Sequence, residues 1–339
     1  MSYDIFATYS CHNEHEVRKI VGNHEQAYRE LRSIYTRVNL LALSQVERTK
    51  EFAKSGHIKF GGGYKGLLFD PEKDNTYTKE LITPALRQLE QMSIYPPKVN
   101  VERLPLYSFF LQVSFTLSTP CLIRGDDVFY IHDNPVLKDQ AFKLPYFPGS
   151  TWKGHFRTEA QRLMIEEKRG SAECLFRLFG EQKGKDGEED SRGRLLFYPT
   201  FFDKIGLAVI NPHSRKTKAG TTPILEEIVP ENAHGVFSLL YVPFDLIGET
   251  DSGKMKMEVA EDLQFVYQIF GEVFHTCGFS AKSTRGFGLA KGKYMQADKT
   301  PGGSITISGV KVNGTSQLQF VQFNQFQKVA NDIIRTLAS

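Results

Sequence analysis

The chain has 339 residues, 40% hydrophobic and 24% charged, and a net charge of only +3. It is long enough to bury a substantial core in more than one domain, or in one domain with large additions. Bulk charge gives no argument for nucleic acid, so any surface for a polyanion would have to come from local placement of Lys and Arg. Cys11, Cys121, Cys174 and Cys277 form no C-x-x-C pair, which argues against a disulfide framework or zinc ribbon and fits a reducing cytoplasm. No apolar run approaches membrane-spanning length and the N-terminus lacks a signal-peptide layout. The expectation is a cytoplasmic protein with no membrane partner.

Residues 1–104 read as mostly helical. Ala27, Leu31, Ile34, Val38 and Leu41 recur at three- and four-residue steps in a helix over 24–56, with Gly56 as its stop. FGGGYKG (60–66) lacks P-loop spacing and reads as a flexible linker. A second helix fits 83–92, and YPPKVNVERLP (95–105) reads as an extended linker. Cys11, His12 and His15 have spacing a metal could use, but no clear fourth ligand.

From residue 106 the pattern changes. LYSFFLQVSFTL (106–117) alternates as a half-buried strand, with Tyr107, Phe109, Leu111, Val113, Phe115 and Leu117 on one face. An acid-rich loop leads to a helix over 150–168. CLFRLFGEQ (174–182) is a short apolar turn, 184–194 a polar, mobile loop, and 195–203 a strand whose Pro199 argues for an edge or bulge. Residues 211–232, with Arg215, Lys216 and Lys218, suit a protruding arm or hairpin. A strand over 235–247 and a helix over 261–278 follow, the helix ending at Gly278. The loop 280–292, a strand over LAKGKY and a strand over 305–312 come next. The last helix, 320–337, turns Phe323, Phe326, Val329, Ile333 and Leu337 inward. This order gives an α+β sheet with helices on one face, consistent with a ferredoxin-like (RRM-like) core carrying insertions and a helical N-terminal extension.

Two places concentrate binding chemistry. Ser150 is placed to cap the helix that carries the stripe Trp152, Phe156, Ala160, Leu163 and Met164. Lys153 and Arg157 lie four apart beside that stripe. Cations at a helix start oppose the macrodipole, so their presence points to an anion such as phosphate; a solvated basic face is the alternative. Gly149 and Gly154 would let a backbone approach closely. The loop 280–292 joins Lys282, Arg285 and Lys291 to Gly286, Gly288 and Gly292. Its amides could converge on a phosphate. It does not match G-x-G-x-x-G, so RNA backbone fits better than a nucleotide cofactor.

PYFPGSTWKGHFR (145–157) resembles the I-P-G-S-S-x-K-G-x-x-R segment of the RAMP superfamily, the RNA-binding subunits of CRISPR effector complexes. IHDNPVLKD (131–139) resembles the I-D-x-P-V-x-[RK]-D loop of the repeated, backbone-type (Cas seven-like) subunits of type III complexes. FRLFGE, RGRLLFYPTFFD and STRGFGLAKG follow in the family's order, so the resemblance covers roughly residues 105–295. It implies a RAMP-type domain over 105–339 with a thumb-like insertion near 205–232, and a helical extension over 1–104 that matches nothing in the family. It implies guide RNA (crRNA), target RNA and other effector subunits as partners. RNA contacts are then expected at Ser150, Lys153, Arg157, Arg215, Lys282, Arg285, Gly286, Gly288 and Lys291.

Among the loop acids Asp126, Asp127, Asp133 and Asp139, the resemblance singles out Asp133 for cleavage of target RNA, with Mg²⁺ or another divalent cation. His132 is its neighbour, and a turn formed with Asn134–Pro135 is the plainer role for Asp133. Thr151 and Trp152 depart mildly from the motif. The extension fits a subunit used once, which leaves a non-catalytic capping subunit as the alternative function. A guide-processing nuclease acting through His155 or His213 lacks a placed histidine pair.

Overall fold

The computed structural model describes residues 5–9, 13–21, 28, 30–43, 53, 63–68, 74–125, 134–180, 192–210, 223–296 and 298–338. The chain divides into two compact units of discontinuous sequence: Met1–Met92, Leu122–Tyr146 and Phe202–Ala233 in one, Ser93–Cys121, Phe147–Phe201 and His234–Ser339 in the other. The 122–146 and 202–233 segments therefore group with the N-terminal residues rather than with the sheet.

The first unit carries the helices Ile5–Thr8, Glu14–Val21, Ile34–Leu43, Tyr64–Leu68 and Thr83–Gln91. The helix expected from residue 24 begins only at Ile34. Ser33 stops it there, its hydroxyl accepting the Thr36 N–H at 3.5 Å and its carbonyl the Arg37 N–H at 3.1 Å. Ala27 and Gly56 lie outside the described residues. Part of the expected linker at 60–66 is instead a helical turn that buries Tyr64, Leu67 and Leu68. The 83–91 helix stands where expected. Pro84 has no N–H to donate, and the turn before it, Thr78–Ile82, widens to a π-helix.

The strands in chain order are β1 (Phe109–Thr116), β2 (Tyr146–Phe147), β3 (Leu195–Phe197), β4 (Thr200–Phe201), β5 (Gly206–Ile210), β6 (Ile224–Ile228), β7 (His234–Tyr241), β8 (Gly303–Ile307) and β9 (Gln317–Phe320). In the first unit β5 and β6 form an antiparallel hairpin stem, with Gly206 opposite Ile228 and Ile210 opposite Ile224. Its connection, residues 211–222 with Arg215 and His213, lies outside the described residues.

The second unit is built on a five-stranded sheet ordered β3–β7–β1–β8–β9, antiparallel throughout. Helix Gly149–Glu166 falls between β1 and β3 in the chain, and helix Ser252–Gly271 between β7 and β8. The second helix starts earlier than its apolar pattern suggests, because the Asp251 carboxylate accepts the Gly253 and Lys254 N–H groups. β1 is not half-buried. Phe109, Leu111, Val113 and Phe115 are buried on one face, and Phe110 and Ser114 are also buried on the other. The supposed linker at 95–105 covers that second face: Val101 packs with Phe110, Leu240 and Val242. Pro199 is exposed and separates β3, an edge strand, from β4. LAKGKY makes only isolated bridges, Leu117 to Ala290 and Lys293 to Gln322, rather than a strand.

Trp152 centres the core. It is fully buried, stacks on Phe274 at 5.4 Å, and touches Phe147, Phe237 and Phe279 at 4.4–4.9 Å. Its indole N–H donates to the Thr200 hydroxyl at 3.0 Å. Burying each such ring contributes roughly 1.5–3 kcal/mol. FRLFGE and RGRLLF supply a buried polar knot beside it. Arg194, 1% exposed, pairs with Asp262 at 2.8 Å and Glu258 at 2.7 Å and also reaches Asp245. Arg177 meets the same Asp262 at 2.8 Å, and the Tyr241 hydroxyl donates to it at 2.8 Å. The expected apolar turn at 174–182 is thus a short helix, Ala172–Phe179, whose Arg177 closes this knot.

Candidate nucleic-acid interface

Ser150 does not cap the 149–166 helix. Pro148 occupies the cap position, its extended backbone (φ −62°, ψ 149°) presenting a carbonyl to the Thr151 and Trp152 N–H groups, both at 3.1 Å. Ser150 is the second helical residue, exposed, and no side chain caps the first turn. Its hydroxyl is free to face a ligand rather than the helix's own amides. Gly149 is held by the protein itself: a Cβ there would stand 2.3 Å from the Phe197 carbonyl oxygen. Gly154 is exposed, and a Cβ added there would meet nothing within 4 Å, so close approach from outside is open at that position.

Lys153 and Arg157 are half-buried, and neither pairs with an acid among the described residues. Burial lowers the Lys153 pKa below the ordinary lysine value, and the fields of Arg157 and Arg192 lower it further. Arg192 is the cation that sequence reasoning missed, because it sits at the end of a polar loop. Its guanidinium lies over the Phe244 ring at 5.0 Å.

Seven amides of the glycine loop are taken up by the protein itself. Ser283, Arg285 and Gly286 donate to carbonyls within the loop, Gly288 to Pro120, Leu289 to the Thr119 hydroxyl, Ala290 to Phe274 and Lys291 to Thr116, all at 2.7–3.2 Å. Gly288 has φ +76°, and a Cβ there would meet the Ser280 Cβ at 2.4 Å. Its glycine is therefore a packing requirement. Gly286, also at positive φ, is exposed beside exposed Lys282 and Arg285, with exposed Lys291 beyond.

Helix and loop together enclose a cleft of ≈ 490 Å³, lined by Thr151, Gly154, His155 and Thr158 on one side and by Val273, Cys277 and Ser283 on the other. Those helix positions form one stripe, and at 3.6 residues per turn it lies about 130° around the helix from Lys153 and Arg157. The structure thus brings the helix and the loop together but turns Lys153 and Arg157 toward Arg192 instead of into the cleft. His155 is held neutral at neutral pH, since burial lowers its pKa. Among the described residues no second histidine lines the cleft.

A sequence model of the RAMP superfamily matches residues 114–291, more than half of the chain. The chain belongs to the RAMP superfamily. The match runs from inside β1 to the glycine loop. The CRISPR system Cms endoribonuclease Csm3 of Streptococcus thermophilus is 33% identical over 103 residues, 27% of this chain and 46% of that protein. The chain spans about half the length of this curated relative. Among solved structures, a chain of the type III-B Cmr-beta complex bound to cognate target RNA gives a TM-score of 0.43 at 15% identity, over 81% of this chain and 95% of that one. A chain of the Csm3–Csm4 subcomplex of the type III-A interference complex gives 0.38 at 15% identity, over 68% and 98%.

Of the acids in this RAMP chain's 126–139 loop, Asp126, Asp127 and Asp133 lie outside the described residues, as does His132. Asp139 serves the fold, its carboxylate accepting the Ala141 and Phe142 N–H groups at 2.9 and 2.8 Å and so closing a turn. Of the suggested N-terminal metal ligands, Cys11 and His12 also lie outside, and His15 is exposed on its helix. Among the described residues the one cluster of possible metal ligands is Glu159, Glu272 and Cys277. Arg162 already neutralises both carboxylates, at 2.6 and 3.4 Å, and burial together with Glu159 pushes the Cys277 thiol up to about 11. That donor set suits an ion-pair network, not Mg²⁺. Among the described residues no helix is long and apolar enough to cross a membrane.

Proposed function

We propose that this RAMP protein is a backbone-type subunit of a type III CRISPR effector complex that holds guide RNA and cleaves paired target RNA through Asp133. One observation carries the RNA-binding part: Lys153, Arg157 and Arg192 crowd together with no acid beside them among the described residues. Like charges gathered at an uncapped helix start suit a polyanion, and a phosphodiester backbone is the matching class. Ser150 and the exposed Lys282, Arg285 and Lys291 extend that reading, with Arg215 from the stretch that joins β5 to β6. The strand order β8–β1–β7–β3, with the 149–166 and 252–271 helices as crossovers, supports reading this unit as a ferredoxin-like (RRM-like) core. We read β5 and β6 as the stem of the thumb-like arm. Base identity is left to guide–target pairing, and the protein feels backbone and shape.

In this reading the Asp133 carboxylate takes the proton of the 2′-hydroxyl next to the scissile phosphate. A Mg²⁺ ion bound at Asp133 would offset charge on the non-bridging oxygens. The relative named an endoribonuclease supports cleavage. The non-catalytic, capping alternative has its own support: residues 1–92 belong to a compact unit and lie outside the family match. The complex reconstituted with guide RNA, the other effector subunits and target separates the two. Asp133→Ala should remove a cleavage product while assembly survives, and EDTA should do the same to the wild type. An unchanged product pattern leaves the capping role.

A further inference from the structure

Phe244 opens a short 3₁₀ turn, Phe244–Leu246, that follows β7. The turn is held on several sides. Leu246 is buried, and the Asp245 carboxylate accepts the Arg194 Nε–H at 2.8 Å. The Phe244 N–H donates to the Val242 carbonyl at 3.0 Å, and the Val242 N–H to the Arg194 carbonyl at 2.9 Å. Phe244 is nevertheless 41% exposed, so this fixed turn presents a large apolar ring to solvent. Arg192, whose guanidinium lies over that ring, is also fixed in its backbone. It forms an antiparallel bridge with Gly180, and a Cβ on the adjacent Gly193 would stand 2.4 Å from the Phe179 carbonyl carbon. The 149–166 helix runs beside the strand that Arg192 leads into, its Phe156 ring meeting Phe197 of β3 at 5.1 Å. Lys153 and Arg157 flank Phe156 on that helix, which brings three cations and one exposed aromatic ring to the same side of one compact unit.

We infer that Phe244, held under Arg192, is a stacking surface for one nucleobase of a single-stranded ribonucleotide chain whose phosphates lie at Lys153 and Arg157; this rests on the RNA-binding reading given above, and not on cleavage. Every base has a π-face, so an exposed aromatic ring beside a cationic track takes a base without selecting its identity. A guanidinium over the same ring adds a second planar, positively charged surface. The charge around the ring favours RNA over a protein segment. Asp245, the acid of this turn, is answered by Arg194, and no acid pairs with Arg192 among the described residues. A protein partner would have to bring acids to three cations as well as an apolar side chain to the ring. A ribonucleotide chain carries phosphates and planar bases together at regular spacing.

The test measures binding of the full chain to two probes, oligouridylate and a sugar–phosphate chain of the same length built from abasic spacers. Affinity and its salt dependence are read for wild type, Phe244→Leu, Phe244→Trp and the double variant Lys153→Ala with Arg157→Ala. Phe244→Leu should weaken oligouridylate binding about fivefold or more and leave abasic binding unchanged. Its salt slope should equal that of the wild type, because no phosphate contact is lost. Phe244→Trp should hold or raise affinity for oligouridylate alone. An equal loss on both probes means that the ring only supports Arg192, and this overturns the inference. Wild-type binding of both probes by Phe244→Leu overturns it too, and weakened association with the other effector subunits would then make the ring a protein contact. If Phe244→Leu does not fold, Phe244→Trp decides: a gain confined to oligouridylate supports the inference, and equal binding changes on both probes, or none, overturn it. The double variant should lose salt slope on both probes. If it does not, the RNA-binding reading fails and takes this inference with it; if it does while Phe244→Leu is silent, only the inference fails.

Discussion

Arg192 and Arg194 stand two residues apart in one R-G-R motif and meet opposite surroundings. Arg194 is 1% exposed and faces Asp245, Glu258 and Asp262, with the Tyr241 hydroxyl at 3.1 Å. Arg192 is exposed, lies over Phe244, and adds its positive field to Lys153 and Arg157. Acids of the chain satisfy the one arginine, and none does so for the other among the described residues. Charge balanced by the chain's own acids holds the fold together, whereas charge left unbalanced on a partly buried surface is available to an outside anion. Both clusters belong to one compact unit, so the contrast owes nothing to placement between units.

The largest effect should come from the balanced side. Arg194→Met strips the fully buried Asp262 of its deepest counter-charge and should lower the free energy of unfolding by about 3–5 kcal/mol, read by chemical denaturation. Arg177 and Tyr241 keep Asp262 from being wholly orphaned, which sets the lower end of that range. A loss near zero, or a changed salt dependence of RNA binding, would erase the distinction drawn between the two arginines. Next in size is the unbalanced side. Lys153→Ala, Arg157→Ala and Arg192→Ala combined should reduce the slope of log affinity for single-stranded RNA against log salt by about 0.7 per lost contact. Each change should move stability by no more than about 0.5 kcal/mol. An unaltered slope with a large loss of stability would make this cluster structural too.

These clusters also mark the limits of reading the chain as a string. The alternation of Phe109 to Phe115 gave away β1, and the spacing of Trp152, Phe156, Ala160 and Leu163 gave away the buried stripe of its helix, because both patterns are local. Burial of the second face of β1 was not legible. It comes from Val101, which lies in a proline-rich stretch whose composition reads as linker. Asp262 as the partner of Arg194 was equally hidden, since only the sheet brings residues so far apart in sequence together. The glycine loop hid part of its wiring for a different reason. Gly286 and Gly288 sit at positive φ, Gly288 packs against Ser280, and the Gly288, Ala290 and Lys291 amides go to Pro120, Phe274 and Thr116, acceptors that a motif does not display. Lys153 and Arg157 were legible as a pair, but their direction around the helix was not, because the cleft stripe of Thr151, His155 and Thr158 is set by what packs against it.

The smallest expected effect is a pH dependence that refines the contrast. Lys153 has its pKa lowered by burial first and then by Arg157 and Arg192. The free folded chain therefore binds fewer protons than the unfolded chain between that lowered value and the ordinary lysine value, so stability rises with pH across that window. The penalty for the charged form is fully present below the window. Phosphate beside Lys153 favours the ammonium and moves its pKa back up, so RNA binding takes up protons in the same window. RNA affinity should then start to fall at a pH below that at which an ordinary lysine titrates. Lys153→Arg, which stays charged, should flatten the decline below the pH at which an ordinary lysine titrates while preserving affinity at neutral pH. The measurement is RNA binding by each protein across that range at constant ionic strength. Superimposable profiles would mean that no phosphate sits at Lys153, whatever the salt slope of the triple variant shows.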